Sequence, residues 1–264
     1  MHPAAAIQSP VVASHILQID GLEVSFDGFK AIQSFNFSLE YGELRFLIGP
    51  NGAGKTTLLD VICGKVKPSK GQVKFKDHID LTKYQEHQIA QLGIGRKFQT
   101  PSVFIHLTLY ENLILSMRQK RGIFSSLFVQ TTSEQQDRLL HCLDTIGLAG
   151  KAQEIASSLS HGEKQWLEIG MLLMQEPDLL LLDEPAAGMT DSETEKTGEL
   201  LHEISQQKTI IVVEHDMDFV RQFARTVTVM HEGTCLREGT MQEIQADERV
   251  AEVYLGRRVE RAAN

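Results

Sequence analysis

The chain is short of cysteine, of positive charge and of long apolar runs, and each shortage narrows what it can be. Its 264 residues contain three cysteines, Cys63, Cys142 and Cys235, and no C-x-x-C pair. An odd number so widely spaced argues against a disulfide framework and a zinc site, and fits a reducing compartment. The net charge of −9 argues against sequence-independent nucleic-acid binding, which calls for a basic face. No apolar run approaches the ~20 residues of a membrane-spanning helix. The opening "MHPAAAIQSPVVASH" lacks the basic and apolar regions of a signal peptide, so residues 1–15 read as a flexible extension of a cytosolic protein.

What is present points to an α/β domain. "ILQIDGLEVSF" and "AIQSFNFSLE" alternate as antiparallel strands separated by "DGFK". "ELRFLI", "DLLLLDE" and "TIIVVEH" are short, nearly continuous apolar runs of the kind found in parallel strands buried on both faces. Their polar ends should line up along the carboxyl edge of the sheet, where such folds hold ligands. Between about 100 and 159 the pattern turns helical, with Leu139, Leu143 and Ile146 on one face, which reads as a helical subdomain inserted into a core of 16–99 and 160–256. "RTVTVMHEGTCLREG" predicts a hairpin turning at Glu232-Gly233, and "MQEIQADERVAEVYLG" one closing helix. Arg257, Arg258 and Arg261 mark 257–264 as a basic tail.

"GPNGAGKT" (49–56), after a strand and before a helix, matches the phosphate-binding pattern G-x-x-x-x-G-K-[ST]. Gly49, Gly52 and Gly54 let backbone N–H groups turn toward phosphate oxygens, Lys55 would reach the β- and γ-phosphates, and Thr56 would hold Mg²⁺. Asp183 and Glu184, ending "LLLLDE", can divide the work between metal and attacking water. His215 ends the next apolar strand, as a structural residue or as a hydrogen-bonding partner of the γ-phosphate. Gln99 reads as a loop amide or as a ligand of Mg²⁺ or water; Phe26 as a core residue or as a stacking platform for a base. In "SLSHGEKQW", Ser160 and Glu163 fit a helix-opening capping box.

In their order along the chain, Phe26, the phosphate loop, Gln99, "LSHGE", "LLLLDEP", "AAGMTD" and His215 resemble the A-loop, Walker A, Q-loop, signature, Walker B, D-loop and H-loop of ABC-transporter ATPases. The resemblance covers residues 16–256. It implies a P-loop NTPase fold, an ATPase using ATP and Mg²⁺, and nucleotide contacts from Phe26, Gly49, Asn51, Gly52, Ala53, Gly54, Lys55, Thr56 and Thr57. It further implies Mg²⁺ at Thr56, Gln99 and Asp183, and catalysis by Glu184, His215 and Gln99. Ser160 and Gly162 would contact the γ-phosphate held by another subunit, so two ATP-binding subunits, identical or related, would close two sites head to tail. Membrane permease subunits are the implied partners, with the chain peripheral on the cytoplasmic face of the inner membrane, and nucleic acid is not among them.

Within the superfamily "GPNGAGKTT", "GIGRKFQTP" and "EPAAGM" resemble the branched-chain amino-acid and amide importers, and "LSHGEKQWLEIGMLL" the ATP-binding subunit of urea importers. Import of urea or a small amide is therefore the leading expectation. Branched-chain amino-acid import, lipid export and a soluble non-transport ABC ATPase are the alternatives, with a plain P-loop kinase disfavoured by "LSHGE" and His215. The signature departs from "LSGGQ" at His161, expected to project away from phosphate, and at Glu163, whose carboxylate is expected to face its own backbone. Phe26 stands where the A-loop usually has tyrosine.

Overall fold

The computed structural model describes residues 15–97, 102–117 and 132–255; the basic tail, Gln99, the middle of the helical insertion and all of the expected extension but His15, which opens the first strand, lie outside them. The N-terminal alternation forms β1 (His15–Phe26) and β2 (Phe29–Glu40), an antiparallel pair. The expected four-residue connection tightens to Asp27-Gly28, both at positive φ (48° and 88°), a geometry that twists with the flanking strands. With β4 (Lys70–Phe75) and β5 (Ile79–Asp80) they make a sheet ordered β2-β1-β4-β5.

A second sheet carries the expected buried strands β3 (Leu44–Ile48), β7 (Leu179–Asp183) and β8 (Thr209–Val213). Their neighbours are β6 (Ile94–Lys97), β9 (Thr226–His231) and β10 (Thr234–Gly239), in the order β10-β9-β3-β8-β7-β6. All pairs except β9–β10 are parallel. Side chains alternate across it: Leu47, Leu179, Leu181, Ile211 and Val213 face the first sheet and α1 (Lys55–Ile62). Phe46, Ile48, Leu180, Leu182, Ile210 and Val212 face the opposite core. Both faces are covered, which is why these strands read as unbroken apolar runs.

That opposite core is built by α3 (Leu109–Ser116), α4 (Ser133–Thr145), α5 (His161–Leu173), α6 (Asp191–Ser205) and α7 (Met217–Phe223). A shorter α2 (Glu86–Leu92) precedes β6. The single closing helix expected over 241–256 is instead two, α8 (Met241–Ala246) and α9 (Glu248–Leu255). Asp247 breaks them: its backbone is extended, and its carboxylate accepts the Arg249 N–H at 3.0 Å, a local bond that competes with helix continuation. The three thiols are unpaired, and burial pushes those of Cys63 and Cys142 up to about 11 and about 12.

Candidate functional site

β3 delivers the chain into the 49–56 loop, and two of its glycines are required by the packing. Any Cβ at Gly49 would sit 2.2 Å from the Met230 carbonyl oxygen, and Gly54, at φ 102°, would press one against the Ala31 carbonyl at 2.7 Å. Helices α3, α4, α5, α6 and α8 each start on a Ser or Thr capping box. α1 starts on Gly54 with neither a side-chain cap nor an acidic residue in its first turn. Its N-terminal N–H groups and positive dipole end are left for an anion to satisfy. Lys55 folds back onto the Gly49 and Pro50 carbonyls, at 2.6 and 3.1 Å. Burial lowers its pKa, and the charges of Glu184 and Asp183 counter that effect.

These acids stand at the tip of β7, beside the end of β8 and one strand removed from β3. Asp183 is buried, and burial raises its pKa against the opposing pull of Arg96, whose guanidinium lies 3.7 Å from it and 2.6 Å from Asp60. Glu184 adopts φ 49°, a conformation rare for non-glycine residues and typical of functional sites. Its carboxylate lies 3.2 Å from Nδ1 of the exposed His215, so an acid and an imidazole from neighbouring strands share one position. Behind them Glu214, 1% exposed, accepts the N–H groups of Ala186 (3.3 Å) and His215 (3.2 Å). Burial raises the pKa of Glu214, and these amides resist the rise.

A cavity of about 320 Å³ is lined by Phe26, Asn51 to Thr57, Asp183 and Glu184. Phe26 is exposed on its rim and not a core residue. Asn51, Gly52, Ala53, Gly54, Lys55, Thr56, Thr57, Phe26 and both acids thus meet around one space, and Gly49 joins through its carbonyl bond to Lys55. His215 lines an adjoining cavity of about 490 Å³ with residues 186–189. Ser160 and Gly162 line neither. They open α5, where Ser160 accepts the Glu163 N–H at 3.2 Å and Glu163 accepts the Ser160 N–H at 3.0 Å. The second Glu163 oxygen meets Lys151 at 2.7 Å, so that carboxylate is turned to its own backbone and neutralised. His161 is directed at the Ala187 carbonyl, 3.1 Å away.

Reading the motifs missed Glu214, Lys151 and Glu193, whose carboxylate reaches Ser160 from α6 at 2.8 Å. Glu214 had one available signal, a carboxylate directly after an apolar strand and beside His215. Glu193 leaves one local mark, the T-x-x-E box it forms with Thr190, but its reach to Ser160 is tertiary, and Lys151 acts only through tertiary proximity. Among the described residues no cluster of three or more His, Cys, Asp or Glu could hold a metal ion. The donor set at Thr56 and Asp183, one hydroxyl and one buried acid, suits Mg²⁺, which takes one or two carboxylates together with nucleotide phosphates and water.

The family model described as "ABC transporter" matches residues 32–187, and one described as "Branched-chain amino acid ATP-binding cassette transporter" matches 238–260. The high-affinity branched-chain amino acid transport ATP-binding protein LivG of Escherichia coli K12 is 37% identical over 91% of this chain and 98% of its own. BraF of Pseudomonas aeruginosa, of the same description, is 31% identical over the same shares. Among solved structures, the ADP conformation of MJ1267, an ATP-binding cassette of an ABC transporter, superposes with a TM-score of 0.79 at 29% identity, covering 92% of this chain and 99% of that one. The dimeric cassette MJ0796 superposes with a TM-score of 0.72 at 25% identity, covering 85% and 98%.

Proposed function

Since the chain belongs to the ABC transporter ATP-binding family, a family of transport ATPases, we propose that it energises an importer of branched-chain amino acids by hydrolysing Mg·ATP between two subunits. The observation that carries the site reading is the uncapped, acid-free start of α1, set with Lys55 beside the Asp183–Glu184 pair. An anion completes that helix end, and a divalent cation offsets the paired carboxylates.

In this reading the β- and γ-phosphates lie on the N–H groups of 52–57, and Lys55 exchanges its two carbonyl partners for phosphate oxygens. Thr56 and Asp183 hold Mg²⁺, which when bound neutralises the charge developing on the transferred phosphoryl group. Glu184 orients the attacking water, and His215, 3.2 Å from it, fixes that carboxylate and bonds the γ-phosphate. Gln99, outside the described residues, keeps its assignment as metal and water ligand. Phe26 stacks on the base. Ser160 and Gly162, absent from the cavity lining, reach the γ-phosphate only from a second ATP-binding subunit, identical or related.

Permease subunits place the chain at the cytoplasmic membrane surface as a peripheral component; among the described residues no helix is long and apolar enough to cross a membrane itself. Their dock is the apolar edge at Phe104 and Ile105, both exposed, where the Ile105 carbonyl accepts the Ser157 N–H at 2.9 Å and so meets the segment holding exposed Ile155. The solute assignment follows the names of the relatives, which specify branched-chain amino acids. "LSHGEKQWLEIGMLL" favours a second reading, urea. Uptake of labelled leucine and of labelled urea, compared between cells with and without the intact chain, separates them. Loss of leucine uptake alone supports the first; loss of urea uptake alone overturns it.

A further inference from the structure

In the isolated subunit the groups meant for the partner's γ-phosphate are already occupied by a carboxylate of the same chain. Ser160 Oγ lies 2.8 Å from Glu193 Oε1 and donates to it. That oxygen also packs against Gly162, within 2.6 Å of where a Cβ would stand. The Gly162 N–H, the Ser160 hydroxyl and the Thr190 N–H all hold the Glu193 carboxyl below the usual glutamate range, the Thr190 contribution being the largest. The two oxygens have separate duties. Oε2 accepts the Thr190 N–H and hydroxyl, both at 3.0 Å, completing the capping box of α6. Oε1 alone crosses to the start of α5.

We propose that Glu193 is a gating residue of the signature half-site, standing in for the γ-phosphate in the separated subunit and yielding the Ser160 hydroxyl and Gly162 N–H when a partner's ATP arrives. This rests on the two-subunit reading of the site above. An anion is the preferred occupant of an N-terminal helix end, and two anions cannot share one hydroxyl and one N–H at contact distance. Rotation of Oε1 away leaves Oε2 on Thr190, so the gate opens without uncapping α6. Glu193 thereby sets how much ATP is required to close the dimer, and it lowers the chance of closure around ADP, which brings no γ-phosphate to displace it.

The test uses the full chain carrying Glu184→Gln to stop turnover, with ATP-dependent association followed by light scattering. Adding Glu193→Gln, whose amide carbonyl can keep the α6 cap, should lower the half-saturating ATP concentration about three- to tenfold. Glu193→Ala should lower it too, even though it removes the cap, and ADP affinity by calorimetry should stay unchanged in both. An unchanged or raised ATP requirement in Glu193→Gln, while Ser160→Ala still abolishes association, would overturn the gate and leave the dimer reading standing. The gate also fails if Glu193→Ala raises the requirement, because the carboxylate then serves only as a cap. If Ser160→Ala associates like its parent, the signature reading itself is wrong and the gate falls with it.

Discussion

Replacing Glu214 by Gln should leave the fold nearly as stable while removing most of the turnover. The wild-type carboxylate, 1% exposed, takes the Ala186 N–H on one oxygen and the His215 N–H on the other. Gln offers one acceptor oxygen, and its amide nitrogen must face the remaining N–H. A buried donor left without an acceptor costs about 1–3 kcal/mol. Removing a charge that burial disfavours offsets part of this, leaving a net loss of about 1 kcal/mol at neutral pH.

The pH dependence has a definite sign. The Glu214 pKa is raised in the folded chain, so the folded state holds its proton more tightly than the unfolded state. Its contribution to stability is greatest at acid pH and falls as pH rises from the ordinary glutamate range through the folded value. The stability gap between wild type and Glu214→Gln should accordingly be widest in acid and narrow toward neutrality, as read by urea unfolding across pH. Turnover responds differently. Displacing the His215 backbone by a few tenths of an ångström misaligns the Glu184–His215 pair, for a loss of about tenfold or more in kcat. ATP affinity should hold, because Glu214 does not line the phosphate-loop cavity. Wild-type kcat in a folded Glu214→Gln protein would refute the positioning argument.

Glu184→Gln should retain ATP binding by calorimetry and lose phosphate release by a hundredfold or more, roughly the contribution of a positioned base. Lys55→Ala should weaken ATP binding severely, since the phosphate charge loses a direct cationic partner; unchanged affinity by calorimetry would contradict that role. Glu163→Gln keeps the capping box and loses the Lys151 pair, so thermal unfolding should register less than about 1 kcal/mol, and ATP-driven association should be equal or slightly stronger. Phe104→Asp should uncouple solute uptake from hydrolysis in reconstituted vesicles while basal ATPase activity persists.

The parts of this molecule legible in sequence are those whose physics is local. The 49–56 loop, the strands feeding it, the Asp183–Glu184 tip and the Ser160–Glu163 box declare themselves because spacing alone fixes which N–H or carboxylate points where. Glu163 was expected to face its own backbone, and it does, but the Lys151 ammonium that also neutralises it comes from a segment with no motif. Glu214 is set by strand register, and although the T-x-x-E spacing of Thr190 and Glu193 encodes the α6 cap, the docking that brings Glu193 to Ser160 is in no linear pattern. Asp247 split the closing helix because one side-chain bond to Arg249 outweighs an apolar periodicity that runs through it. Strand β6 escaped notice because "IGRK" is short and ends in charges. Those charges are buried by partners distant in sequence, Arg96 by Asp60 and Lys97 by Glu168. For the solute, a resemblance in one segment pointed to urea, while relatives matching 91% of the chain carry branched-chain amino acids in their names. The cavity at the 49–56 loop brings Lys55 and the uncapped start of α1 beside Asp183 and Glu184, a charge pattern that suits a metal-bound phosphate and says nothing of the solute.

The central claim is that each ATP site is completed by Ser160 and Gly162 of a second subunit, and mixing two inactive variants tests it most directly. Lys55→Ala disables the phosphate loop and spares the signature; Ser160→Ala does the reverse. Each alone should be nearly inactive in the assembled importer. Combined, a mixed pair contains one site built from an intact loop and an intact signature, so ATP hydrolysis should return to a substantial fraction of wild type. A mixture as inactive as its components would contradict a site shared between two copies of this chain.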